Sequence, residues 1–147
     1  MQLQPLFQFT VEVGPAVDLG ALDAIRRRMV PIAGGTVTGA HRGTILPGGA
    51  DFQQVRPDGT LEISARYVLS LEEGLVEVDS RGLRHGTADI LSRLDRGEKV
   101  DRSEYYFRTA MRFRAASPPL AYLNNVIAVS LGERHVSAVN LEIYRLT

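Results

Sequence analysis

The sequence predicts one all-β domain of about eight to ten strands, a sandwich or a barrel, with one or two short helices. Three observations carry this. Apolar residues alternate with period two along most of the chain, the mark of strands buried on one face. Turn dipeptides separate the alternating runs. Only one stretch shows clear helical spacing. The chain has 147 residues, 44% hydrophobic and 23% charged, so it can bury a core of ordinary size as a single domain, 1–147.

The elements follow in order. "LFQFTVEV" sets Phe7, Phe9, Val11 and Val13 on one face, with Gln8, Thr10 and Glu12 opposite. "DLGALDAI" has a weak helical pattern and is the candidate for a second helix. Gly34-Gly35 and Gly48-Gly49 mark bends, bulges or close backbone approach. "RPDGT", from Arg56 to Thr60, is a turn between two strands. "LEISARYVLSL" places Ile63, Ala65, Tyr67, Leu69 and Leu71 opposite Glu62, Ser64, Arg66 and Ser70. "EEG" (Glu72 to Gly74) and "SRG" (Ser80 to Gly82) read as further hairpin turns around the strand "GLVEVDS". In "TADILSRLDRG", Thr87 is the expected N-cap, Ile90, Leu91 and Leu94 share one side, and Gly97 ends the helix. "EYYFRTAMRFR", "YLNNVIAVSLG" and "HVSAVNLEIYRL" complete the strands.

Composition excludes several function classes. Cysteine is absent, which removes disulfides, thiolate nucleophiles and cysteine metal sites and fits a cytoplasmic protein. The first residues, "MQLQPLFQFTVEV", lack the basic and apolar regions of a signal peptide. No apolar run reaches the length of a membrane span, so no membrane partner is expected. Net charge is zero, which argues against a nucleic-acid partner. His41, His85 and His135 are scattered without metal-ligand spacing, so no metal is expected. The glycine-rich loops "IAGGTVTG" and "ILPGGAD" lack the phosphate-loop pattern, and no cofactor is indicated. No nucleophile elbow is present. General acid–base chemistry by carboxylate and tyrosine, with arginine as electrostatic partner, remains.

Arginine is the unusual feature: sixteen Arg against the single Lys99. The bias reflects either gene base composition or guanidinium forks placed for two-point recognition of carboxylate or phosphate. In "EYYFRTAMRFR" the alternation puts Tyr105, Phe107, Met111 and Phe113 on one face and Glu104, Tyr106, Arg108, Arg112 and Arg114 on the other. In a generic antiparallel strand the basic face meets water. In a small barrel it can instead line a polar lumen and hold an anion or carbonyl. Asp51, where a bend enters a strand, and Arg66, in mid-strand, are candidates to join such a site or to form a structural ion pair.

The segments "RRMVPIAGGTVTGAHRGTILPGGADFQQVRPDGTLEISARYVLSLEEG", "GEKVDRSEYYFRTAMRF" and "YLNNVIAVSLGER" together resemble the bacterial and fungal family called domain of unknown function 3237. "LPGGAD", "ARY" and "EYYFR" carry the resemblance, which spans nearly the whole chain. It implies a single antiparallel β-barrel that assembles into homo-oligomers, and no established activity. The polar and aromatic residues that match are Asp51, Arg66, Tyr67, Glu104, Tyr105, Tyr106, Phe107, Arg108 and Asn124. Departures stand at Ser64 and Arg114, where the family carries acids, and at Phe52 and Tyr122, where it carries Trp.

The expectation is a cofactor-free barrel that binds a small oxygen-rich metabolite, a carbonyl or carboxylate compound, in its lumen. Its enzymatic form is proton transfer of isomerase or lyase type. Asp51 is then the base and Tyr106 the acid, with Arg66, Arg108, Glu104, Asn124 and Tyr67 contacting substrate. The rivals are a non-catalytic ligand-binding barrel and a purely structural subunit.

Overall fold

The structure, a computed structural model, describes residues 1–147. Ten strands and one α-helix run in the order β1 (Leu3–Val13), β2 (Val17–Leu22), β3 (Ile25–Gly39), β4 (Gly43–Ile45), β5 (Ala50–Val55), β6 (Leu61–Leu71), β7 (Gly74–His85), α1 (Ala88–Asp95), β8 (Tyr106–Ala115), β9 (Ile127–Arg134) and β10 (Ala138–Leu146). Two 3₁₀ turns, Arg102–Glu104 and Pro118–Asn125, flank β8. All pairings are antiparallel. The sheet runs β1-β10-β9-β8-β7-β6-β4-β3-β2, β5 also lies between β3 and β6, and β1 pairs with β3. That last pairing closes the sheet into an eight-strand barrel with two additional strands. Closure removes the unpaired edges that an open sheet would leave along its core strands.

Local chemistry explains most elements. The helix starts at Thr87, whose Oγ1 accepts the Ile90 N–H at 3.3 Å, and its buried face is Ile90, Leu91 and Leu94. Gly97 follows at φ 77°, the left-handed stop. "RPDGT" forms the β5–β6 turn, with the Arg56 carbonyl accepting the Gly59 N–H at 2.9 Å. The two-residue turn Glu72-Glu73 joins β6 and β7, since Leu71 pairs with Gly74.

Two expectations are corrected. "DLGALDAI" is not a helix but the β2–β3 hairpin, turned by Asp23 and Ala24, both at positive φ, between the paired Leu22 and Ile25. Strand pairing with β3 overrides the weak helical pattern. "SRG" is not a turn either. β7 passes straight through it, and Gly82 faces Ile63 on one side and Thr109 on the other.

The core occupies one half of the barrel. Phe7, Phe9, Leu69, Val76, Met111 and Phe113 are buried together. Phe7 packs on Phe9 at 5.5 Å and edge-on against Phe113 at 5.8 Å between ring centroids. The 3₁₀ turn Pro118–Asn125 covers this end through Leu120 and Leu123, both fully buried. No helix is long and apolar enough to cross a membrane.

A polar cluster fastens the same end. His41 Nδ1 bonds to Glu73, and His41 Nε2 lies 2.7 Å from the Tyr122 hydroxyl. The hydrogen bond from His41 holds the Glu73 carboxyl below its ordinary value of 4.5. A depressed carboxyl adds stability that is present above its unfolded pKa and is lost as pH falls through the folded one. Glu73→Gln is therefore expected to lose less Tm than the wild type on acidification from about pH 5 to about pH 3. Parallel Tm-against-pH curves for the two proteins would refute this linkage.

Candidate functional site in the barrel lumen

The other half of the barrel is hollow. It holds a cavity of about 450 Å³ between the strands and α1. Strand parity decides its lining: Arg28, Val30 and Ile32 from β3, Asp51 and Gln53 from β5, Ile63, Ala65 and Tyr67 from β6, and Ser80 and Arg84 from β7. Phe107 and Thr109 come from β8, Arg134 from β9, and Leu94 and Asp95 from α1.

Register sets these groups in levels. Arg28 pairs with Gln53, and Arg84 pairs with Leu61 and Phe107, which places the arginines towards the α1 end. Asp51 pairs with Val30 and Ala65, deeper in the lumen, and Tyr67 lies two residues further along β6.

A hydrogen-bonded chain holds the carboxylate. Arg28 Nε donates to Gln53 Oε1 at 2.6 Å, and Gln53 Nε2 donates to Asp51 Oδ2 at 2.6 Å. The Ser64 N–H donates to Asp51 Oδ1 at 2.9 Å. Burial raises the Asp51 pKa above its ordinary 3.8, while these two hydrogen bonds and the positive charges of Arg28 and Arg84 oppose the rise. Burial raises the Tyr67 phenol strongly, and the Asp51 charge adds to it, so Tyr67 stays a protonated donor.

Three guanidiniums share this space. Arg84 is buried, and its Nη2 lies 3.3 Å from Asp95 Oδ1. Arg28 approaches the same oxygen at 4.0 Å. Arg134 Nη1 donates to the carbonyls of His135 and Ala138. Desolvation pushes the Arg84 pKa down, and repulsion from Arg28 and Arg134 adds to this against the attraction of Asp95. Only Asp51 and Asp95 oppose the three cations in the lining. Tyr67 Oη and Arg84 Nε have no hydrogen-bond partner in the protein.

The residues picked from the sequence divide. Asp51 and Tyr67 reach the lumen. Placing Tyr106, Arg108, Glu104, Arg66 and Asn124 there is corrected. Tyr106 is 52% exposed on the outer face, and the Arg108 guanidinium stacks 5.2 Å from its ring. Glu104 is exposed in the 3₁₀ turn. Arg66 points outward to Glu77 at 3.6 Å, so it does not pair with Asp51. Asn124 clamps the end of β8, bonding both the N–H and the carbonyl of Ala115 at 2.8 Å. The physical reason is parity: Tyr105, Phe107, Met111 and Phe113 are buried, which turns the alternate positions of β8 to the outside.

Arg28, Gln53, Arg84, Asp95 and Arg134 escaped the sequence reading. For Arg84 a signal existed: continuing the inward parity of Val76 and Val78 gives Ser80, Gly82 and Arg84. Reading "SRG" as a turn broke that count.

The family model described as "Protein of unknown function (DUF3237)" matches residues 1–146. The chain belongs to this family. A UPF0311 protein of Bradyrhizobium diazoefficiens is 37% identical over 142 residues, covering 96% of this chain and 93% of the relative. A crystal structure of a conserved protein of unknown function from Rhodopseudomonas palustris superposes with TM-score 0.94 at 34% identity, covering 99% of this chain and 97% of the other. A beta-barrel like protein from Acinetobacter baumannii superposes with TM-score 0.86 at 40% identity, covering 99% and 96%. An enzyme from Penicillium herquei shares the fold at 20% identity and TM-score 0.74, covering 99% and 94%. In this DUF3237 chain "LPGGAD" is the segment that delivers Asp51 to the lumen.

Proposed function

We propose that the lumen binds a small oxygen-rich metabolite, a carbonyl or carboxylate compound, and that Asp51 moves a proton on it without a cofactor. The observation that carries this reading is a half-buried carboxyl, Asp51, held by Gln53 and Ser64 and facing a cavity that also holds Arg28, Arg84 and Arg134. A carboxyl with a raised pKa is a better base for carbon-bound protons near neutral pH than an ordinary one. Guanidiniums in the same low-dielectric space stabilise negative charge that develops on a substrate oxygen. Each Asp51 oxygen accepts one hydrogen bond, which leaves lone pairs free to accept a proton.

The test uses a panel of ketones and oxo acids in deuterated water, with NMR following loss of the C–H signal beside the carbonyl. Asp51→Asn is expected to slow exchange by about 10²–10⁴-fold with the fold retained. The rate should rise with pH through an apparent pKa above 3.8, because burial raises the group. Exchange by Asp51→Asn at the wild-type rate would refute the role of Asp51. Luminal binding without exchange on any compound would support the non-catalytic reading, which the tight clamping of Asp51 by Gln53 and Ser64 favours.

A further inference from the structure

Two donors in this lumen lack protein acceptors, and they mark different depths. Arg84, whose side chain is 6% exposed, leaves Nε unpartnered. Tyr67, 5% exposed, leaves its hydroxyl unpartnered. A buried donor without an acceptor destabilises the fold, so the pair is a standing cost that a ligand can relieve. Arg84 faces Leu61 across the β6–β7 ladder, and Asp51 faces Ala65 across the β5–β6 ladder. At ~3.3 Å per residue, Ala65 is about 13 Å from Leu61 along β6 and Tyr67 about 7 Å further. The Arg84 and Tyr67 side chains both line this one cavity. The Asp51 carboxyl lies between them, close enough to feel the Arg84 charge and to act on the Tyr67 phenol.

Charge and polarity restrict the ligand further. The three luminal arginines exceed Asp51 and Asp95 by one positive charge. A monoanion balances that excess, whereas a phosphate dianion overshoots it. Fourteen of the 25 lining residues are hydrophobic, including Val30, Ile63, Phe107 and Leu141, so the body between the two oxygen functions must be hydrocarbon.

We propose that the ligand is a monoanionic hydroxy or oxo acid with an apolar body, bound at two points. Its carboxylate accepts from Arg84 Nε within the arginine set. Its second, neutral oxygen accepts from Tyr67 Oη, with the carbon between presented to Asp51. This rests on the luminal reading above and names its substrate class.

Three probes separate the two points: para-hydroxyphenylpropionate, phenylpropionate and para-hydroxyphenylpropionamide. Binding is measured by titration, and NMR shifts of Phe107 and Thr109 report whether it is luminal. The hydroxy acid is expected to bind at least about tenfold tighter than the amide and several-fold tighter than phenylpropionate. Arg84→Met should erase the first preference and keep the second, and Tyr67→Phe should do the reverse. Asp51→Asn should keep the hydroxyl preference and widen the acid-over-amide preference, because it removes a luminal negative charge, while slowing proton transfer. An amide that binds as well as the acid, or a hydroxyl preference that survives Tyr67→Phe, overturns the two-point assignment while leaving the luminal reading standing. If Phe107 and Thr109 respond to no acid, amide or ketone, both fall.

Discussion

Gly82→Ala is expected to cost at least about 3 kcal/mol of stability, a fall in Tm of roughly 10 °C for a chain of this size. A Cβ at Gly82 would sit 2.0 Å from the Arg108 carbonyl oxygen and 2.6 Å from the Thr109 Cα. Both obstacles are backbone, and both belong to the hydrogen-bonded neighbour strand, so neither can swing away. β7 contributes to the barrel wall on both sides through ladders to β6 and β8. Shifting it to admit a methyl would disturb two registers at once, including the pairing that aims Arg84 at the lumen. The control is Gly48→Ala: no atom lies within 4 Å of its Cβ position, and only its φ of 108° opposes the change. Gly48→Ala is expected to cost less, about 1–2 kcal/mol of local strain. Thermal or urea unfolding of the two variants checks the ranking. Equal losses would mean that close approach at Gly82 is relieved by backbone adjustment.

Arg84→Met is expected to raise stability by about 2 kcal/mol while removing the preference for anionic ligands. The Arg84 guanidinium is buried, meets repulsion from Arg28 and Arg134, and leaves Nε without an acceptor. Its Asp95 partner is 54% exposed at the side chain and can be hydrated after the substitution. Methionine keeps the length and flexibility of the stem against the apolar wall, so the volume lost is small. Desolvation disfavours the charged state of Arg84 in the fold, and its removal therefore relieves the native state. Unfolding free energies measured without ligand test this. A loss above about 3 kcal/mol would show that the Arg84–Asp95 pair fastens α1 over the lumen, and that its attraction outweighs the burial cost. A gain in stability with loss of binding is the pattern expected where a site is kept for function.

Legibility followed the range of the interactions involved. The strand "LEISARYVLSL", the "RPDGT" turn and the Thr87 cap depend on residues within a few positions of one another, and all three were readable. "DLGALDAI" was misread because its outcome depends on pairing Val17–Leu22 with Ile25–Met29, and two positive-φ residues at Asp23 and Ala24 leave no glycine signature. In "EYYFRTAMRFR" the alternation separates the two faces correctly, but placing Tyr106 and Arg108 in the lumen fails. The aromatic face fills the interior, and Arg108 finds its partner in the Tyr106 ring on the outside.

By itself the sequence determined an all-β chain, its strand faces, one capped helix, family membership by resemblance, and Asp51 and Tyr67 as candidates. Only the tertiary structure decided which other polar residues meet them. Arg28, Gln53, Arg84, Asp95 and Arg134 come from five different elements, four strands and the helix, separated by long stretches of chain, and each reads locally as a polar surface residue. Barrel closure through the β1–β3 ladder and the β3–β5–β6–β7 registers turns them to one cavity. That convergence is a property of pairing between distant segments, which no local pattern encodes.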